Sequence, residues 1–107
     1  MADQKQLDLL KVGVEGWNTW RYANPEAKID LSFANLSFAN LSKANLSEAN
    51  LSFSHLDYAN LSKANLRKAN LSGADLCKAN LSGADLREAN LDGVDHLSTV
   101  VLTGARI

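Results

Sequence analysis

The chain has 107 residues, 46% of them apolar, with 11 basic against 12 acidic side chains and a net charge of −1. One domain of ordinary size follows, and the balanced surface excludes the long-range field that attracts phosphate backbones or anionic lipid. No run approaches the ~20 apolar residues of a membrane span, the first residues lack the apolar stretch of a signal peptide, and a lone Cys77 fits a reducing, cytoplasmic compartment.

In chain order, residues 1–28 read as an N-terminal capping helix and linker. Leu7, Leu10, Val14 and Trp17 fall on one helical stripe within residues 3–22. Asp3 with Gln6 matches a capping box, and Asn24-Pro25 ends the helix. Gly13 and Gly16 weaken it by about 1 kcal/mol each, which close approach to the next element would explain. The expected role is to cover the first turn of that element, with Leu10, Val14 and Trp17 facing the Leu31 end.

Residues 29–93 are a five-residue repeat. Leu stands at every fifth position from Leu31 to Leu91, and Ala precedes it by two in eleven of thirteen repeats, the exceptions being Ile29 and Ser54. Between them lies Asn or Asp, except at His55. A period of five suits no regular element. On a strand it alternates Leu between faces, and on an α-helix it scatters Leu around the axis. The pattern is satisfied if each repeat is a short extended piece followed by a turn, so that every Ala and Leu points into the bore of a solenoid. The outward residues give the number of sides. At a separation of twenty, Phe33 falls on Phe53, Phe38 on Tyr58 and Gly73 on Gly93, while Glu48, Lys68 and Glu88 form a column of alternating sign. Four sides of five residues follow.

Runs such as Ala44-Asn45-Leu46-Ser47-Glu48 and Ala59-Asn60-Leu61-Ser62-Lys63 resemble the pentapeptide-repeat proteins, whose pattern is Ala-Asp/Asn-Leu-x-x. The resemblance implies an all-β solenoid, a right-handed quadrilateral β-helix, here with an N-terminal α-helical cap. It implies fold strongly and function weakly.

The second segment is taken as residues 29–107, with regular repeats over 29–93, a register slip near 93–96 and a resumed coil to 107. Leu97 follows Leu91 by six, after which Leu102 and Ile107 restore the spacing of five. This places Val100 and Ala105 in the Ala slot, Asp95 with its carboxylate near the bore, and a bulge at Gly93–His96. The apolar, β-branched stretch Val100-Val101-Leu102 with Ile107 makes the C-terminal coil a candidate self-association end. A homodimer joined end to end is also what the resemblance implies.

Few residues carry chemistry. His55, Asp57, Asp75 and Cys77 share one wall, but His55 and Cys77 lie on a diagonal of about 8 Å, too long for a nucleophile–base hydrogen bond. No cleft excludes water there, so no catalytic residue, cofactor or metal is assigned. The Asn column reads as a hydrogen-bonding ladder, and the glycines at 73, 83 and 93 as repeat corners rather than a phosphate loop. Lys63, Arg67, Lys68 and Lys78 are interleaved by Asp57, Asp75 and Asp85, which argues against nucleic acid. Phe33, Phe38, Phe53 and Tyr58, all outward, form two neighbouring ladders that either reinforce the wall, receive the N-terminal helix or bind a partner.

A non-catalytic structural or protein–protein interaction module is therefore the expected function, with protein as partner and neither nucleic acid nor membrane. The alternative implied by the resemblance is a DNA-mimicking inhibitor of a type II topoisomerase. That role needs a long acidic stripe, which a short rod of net charge −1 lacks.

Overall fold

A computed structural model describes residues 1–107. Twelve parallel bridges, Asp30–Asn50 through Asn70–Asn90 and on to Asp75–Asp95, fix the winding, each joining Asn-slot residues twenty apart until the final two. Twenty residues make one coil, and four repeats make its four sides. Each bridge is a single residue rather than an extended strand, because a β-turn interrupts the chain every five residues. Residues 29–107 complete close to four coils in a body of 35 × 26 × 23 Å.

Each repeat uses its residues in fixed ways. The Ala-slot N–H donates to the carbonyl of the Leu three residues earlier, as Ala34 to Leu31 at 3.2 Å and Ala64 to Leu61 at 3.0 Å. This closes a four-residue turn. Its third residue has positive φ throughout, from 55° at Lys78 to 65° at Lys43 among the non-glycines, the signature of a type II turn. Ten repeat residues with side chains accept this left-handed geometry, which disfavours an L residue by roughly 1–2 kcal/mol. Backbone pairing offsets it: Phe33 N–H donates to the Ser52 carbonyl and Lys63 N–H to Ser82, at 3.0 and 2.8 Å.

The Asn side chains do not form a ladder. Their Oδ1 atoms accept from the backbone N–H two residues on, as in Asn50 to Ser52 at 3.1 Å and Asn80 to Ser82 at 3.0 Å. Such Asx turns set the entry to each corner. Coils are joined chiefly by the backbone, with the Leu61 N–H donating down to Asn80 and the Asn60 N–H up to Ala39, at 2.7 and 2.9 Å. His55 is the one Asn-slot residue between 30 and 90 without an Asx turn.

The bore is a column of Leu and Ala. Leu31 through Leu86 are buried, as are most Ala-slot residues. Ser54 keeps its hydroxyl inside by donating to the Leu51 carbonyl at 2.7 Å, which satisfies a group that burial would otherwise penalise.

The N-terminal segment is two helices, not one: α1 (Gln4–Val12) and α2 (Val14–Ala23), separated by extended backbone at Gly13. The break lets both helices lie on the first coil. Leu7, Leu10 and Trp17 are buried and Val14 is half-buried against the same core. Asp3 caps α1 by accepting from Lys5 and Gln6 N–H, but Gln6 does not return to Asp3. Its side-chain amide donates to the Lys28 carbonyl and accepts from Asp30 N–H, both at 2.8 Å. Asn18 acts alike, donating to Lys43 O at 3.0 Å and accepting from Asn45 N–H at 2.8 Å. Both amides supply bonds that a preceding coil would otherwise make. Neither Gly13 nor Gly16 approaches the coil closely: a Cβ on either would meet nothing within 4 Å.

The C-terminal slip also differs from expectation. Val94, not Asp95, fills the Ala slot, since its N–H donates to Leu91 O. Asp95 is exposed in the Asn slot and bridges Asp75, so no carboxylate enters the bore. The extra residue is taken up after it, by left-handed His96 and a 3₁₀ turn at Leu97–Thr99. Leu97 is left 41% exposed. Lys78 N–H, which would meet a carbonyl of the next coil, donates to the Thr99 hydroxyl at 2.8 Å. Pairing then resumes one residue out of step, Asn80 to Val101 and Asp85 to Arg106. Val100 and Leu102 are half-buried, whereas Val101 and Ile107 are exposed.

Candidate functional site

The turn geometry decides which side chains face outward. The positive-φ corner residue of each repeat points away from the bore, and corners twenty apart stack. Phe33 lies over Phe53 with ring centroids 5.2 Å apart and planes 13° from parallel. On the adjacent wall Phe38 lies over Tyr58 at 4.8 Å and 3°. The ammonium of Lys78 continues that column, 5.7 Å from the centre of the Tyr58 ring, within cation–π range. The first column continues to Gly73, whose missing Cβ leaves room for the Phe53 ring: a Cβ there would lie 2.5 Å from Phe53 Cε1. Stacking fixes these rings yet leaves them open, Phe33 at 60%, Phe38 at 72%, Phe53 at 53% and Tyr58 at 46%. The helices dock on the end of the bore and do not cover the aromatic columns.

Few charged groups are paired. Asp85 and Arg87 form a two-point ion pair, with Nη2–Oδ2 at 2.6 Å and Nε–Oδ1 at 2.9 Å. The hydrogen bond from Arg87 holds the Asp85 carboxyl down at about 2 and raises Arg87 in return. Hydrogen bonds from the Ser32 hydroxyl and backbone depress Asp30. Arg21 is buried and its guanidinium binds the carbonyls of Asn45 and Ser47. Desolvation lowers its pKa, opposed by the negative charge of Glu48. The column Glu48, Lys68 and Glu88 forms no ion pair within 4 Å.

Neither larger groove contains a histidine or cysteine. One, of about 510 Å³, runs beside the helix break and is lined by Leu10, Val14, Leu36 and Leu41 with Lys11 at its rim. The other, about 680 Å³, is lined by Arg21, Glu26, Lys28, Asp30 and Glu48. Outside both grooves, His55, Asp57 and Asp75 come within 4.8 Å of one another through one ligand atom each. Cys77 engages Asp75 only through its backbone N–H. Sequence reasoning missed His96, whose Nδ1 lies 3.3 Å from Asp75 Oδ1, because its place depends on where the extra residue is absorbed.

Comparison with known proteins agrees with the architecture. A family model described as pentapeptide repeats matches residues 29–67 and 59–95. A pentapeptide repeat protein from the cyanobacterium Cyanothece 51142 is 44% identical over 68% of this chain and 53% of its own, with a TM-score of 0.52. Another, from the thylakoid lumen of Arabidopsis thaliana, is 29% identical over 71% of this chain and 59% of its own, with a TM-score of 0.56. The chain spans little more than half the length of these relatives. No curated protein matches it in sequence, and no helix is long and apolar enough to cross a membrane.

Proposed function

The chain belongs to the pentapeptide-repeat family, and from that premise we propose that it is a non-catalytic module that binds another protein through its aromatic walls. The family implies right-handed winding, and in this reading the two helices, packed on the first coil, serve as its cap. One observation carries the reading: four large rings stand about half or more exposed, in two stacked columns on neighbouring walls. Contiguous exposed apolar surface of this kind marks interaction sites, and rings held by stacking lose little freedom when a partner covers them. A cytoplasmic setting with Cys77 as a free thiol belongs to the same reading.

Affinity capture from native lysate tests it, comparing the wild-type chain with Phe33→Ala/Phe53→Ala and with Phe38→Ala/Tyr58→Ala. The expected result is a specific protein retained by the wild type and lost from at least one variant that keeps its circular dichroism spectrum. Equal capture by all three refutes the aromatic site. A DNA-supercoiling assay with a type II topoisomerase is expected to show no inhibition. Self-association is a second proposal, resting on exposed Val101 and Ile107 beside half-buried Val100 and Leu102. Light scattering at micromolar concentration should give a dimer that Leu102→Asp converts to monomer.

A further inference from the structure

One wall gathers His55, Asp57 and Asp75 from two successive coils, and His96 reaches Asp75 from a third. His55 and Asp57 come from one coil, Asp75 from the next, and His96 from the irregular corner of the last. Ligand atoms of His55, Asp57 and Asp75 lie within 4.8 Å of one another, and His96 Nδ1 is 3.3 Å from Asp75 Oδ1. We propose that His55, Asp57, Asp75 and His96 bind one divalent transition-metal ion of the zinc class.

The donor set suits such an ion. Zinc takes imidazole nitrogen and carboxylate oxygen in four-coordinate geometry at roughly 2.0–2.2 Å, and imidazole selects zinc, copper or nickel over calcium and magnesium. Two neutral imidazoles with two carboxylates carry a charge of −2, which a divalent cation balances. Both carboxylates are oriented through one oxygen and free at the other. Asp57 Oδ1 accepts from the Ser37 hydroxyl at 2.6 Å, and Asp75 Oδ1 accepts from the Cys77 N–H at 2.9 Å. Such outer bonds hold ligands in place for a metal. His55 occupies a slot where Asn or Asp otherwise closes a turn with its own side chain, and its imidazole makes no hydrogen bond in the chain. Its ring is therefore free to turn toward the two carboxylates.

The irregular corner completes the set. A fifth residue between Leu91 and Leu97, where regular repeats have four, puts His96 in the left-handed conformation, φ 61°, against Asp75. A regular five-residue corner would have put the next bore residue there instead. The ion would thereby tie the last coil to the two above it.

The test is calorimetric titration of the EDTA-stripped full chain with zinc chloride, and separately with nickel, calcium and magnesium chlorides. One zinc per chain is expected, with nickel binding also and calcium and magnesium at least tenfold weaker. His55→Ala and His96→Ala should each weaken zinc at least tenfold, as loss of even an outer-shell partner costs about 10–100-fold. Cys77→Ser should leave it unchanged. Zinc should raise the melting temperature of the wild type and not of the His55→Ala/His96→Ala chain, whose exposed substitutions leave the bore intact. Absence of saturable binding overturns the proposal. Undiminished binding in the double variant, or calcium binding as tight as zinc, overturns it as well. The titration reads zinc alone and the capture experiment reads the aromatic variants, so the two proposals fail independently.

Discussion

Gly73→Ala probes the corner geometry and the aromatic column together. Gly73 has φ +69°, and a Cβ there would sit 2.5 Å from Phe53 Cε1 and 2.6 Å from Cδ1. Gly83, in the same coil, has the same φ, but its Cβ would come no closer than 3.2 Å to the flexible Lys63 side chain and 3.9 Å to the Lys63 backbone. The left-handed conformation disfavours alanine by roughly 1–2 kcal/mol, less about 0.4–1 kcal/mol from the stiffer unfolded chain. Gly83→Ala should therefore destabilise by about 1 kcal/mol on these same terms. At Gly73 the Phe53 ring must also leave its rotamer, at about 0.5–1.5 kcal/mol, and give up its stacking on Phe33, about 0.5–1.5 kcal/mol more. The expected total for Gly73→Ala is about 2–4 kcal/mol by these contributions. Urea unfolding followed by circular dichroism measures both variants. Repeating the pair in a Phe53→Ala background should erase the difference between them. Equal destabilisation by Gly73→Ala and Gly83→Ala with Phe53 present would refute the assignment of the ring to that glycine.

Other expectations arise from the bore, the corners, the helices and the ion pair. Leu61→Ala should destabilise by about 2–5 kcal/mol, since ladder bonds above and below keep the backbone from collapsing into the cavity; half-buried Leu91→Ala should fall clearly lower in the same denaturation series. Lys63→Ala should change little, and Lys63→Gly should stabilise by up to about 1 kcal/mol, because its φ is 59°. Asn18→Ala strands the Lys43 carbonyl and the Asn45 N–H, and a loss of about 1–3 kcal/mol is expected in thermal unfolding. The Asp85 pKa is depressed in the folded chain, so its contribution is complete above the unfolded value near ~3.9 and lost as pH falls toward about 2. Arg87→Gln should move the NMR titration of Asp85 up toward that unfolded value and shift acid unfolding to higher pH.

The bore and its four sides were legible because each reports a period: Leu every five residues, and aromatic on aromatic every twenty. What was hidden depends on atoms rather than periods. Gln6 reads as half of a capping box and Asn18 as an ordinary polar residue on a helix until their amides are seen meeting the edge of the first coil. The left-handed corner was legible at Gly73 and Gly83, but Lys and Phe at equivalent corners gave no sign of it, since their strain is offset by backbone bonds between coils. The stripe through Leu7, Leu10 and Trp17 correctly identified a packed face. It could not show a break at Gly13, because both helices keep that face. Asp95 was misplaced and His96 overlooked for one reason: a count of residues cannot tell which of several adjacent positions absorbs an insertion.

That absorbed insertion bears on how such a chain can change over generations. Between Asp75–Asp95 and Asn80–Val101 the pairing distance grows by one residue, yet Val101 still lands on the same wall as Asn80. A single inserted codon at a corner is thus contained within one 3₁₀ turn, with the Thr99 hydroxyl replacing the lost backbone acceptor. Gaining or losing a whole repeat is a different event. It would rotate every downstream side chain by a quarter turn, sending the partners of Phe33 and Phe38 to other walls. Lineages of this fold can therefore drift by single residues at corners or lengthen by whole coils, while changes of five rewrite the surface.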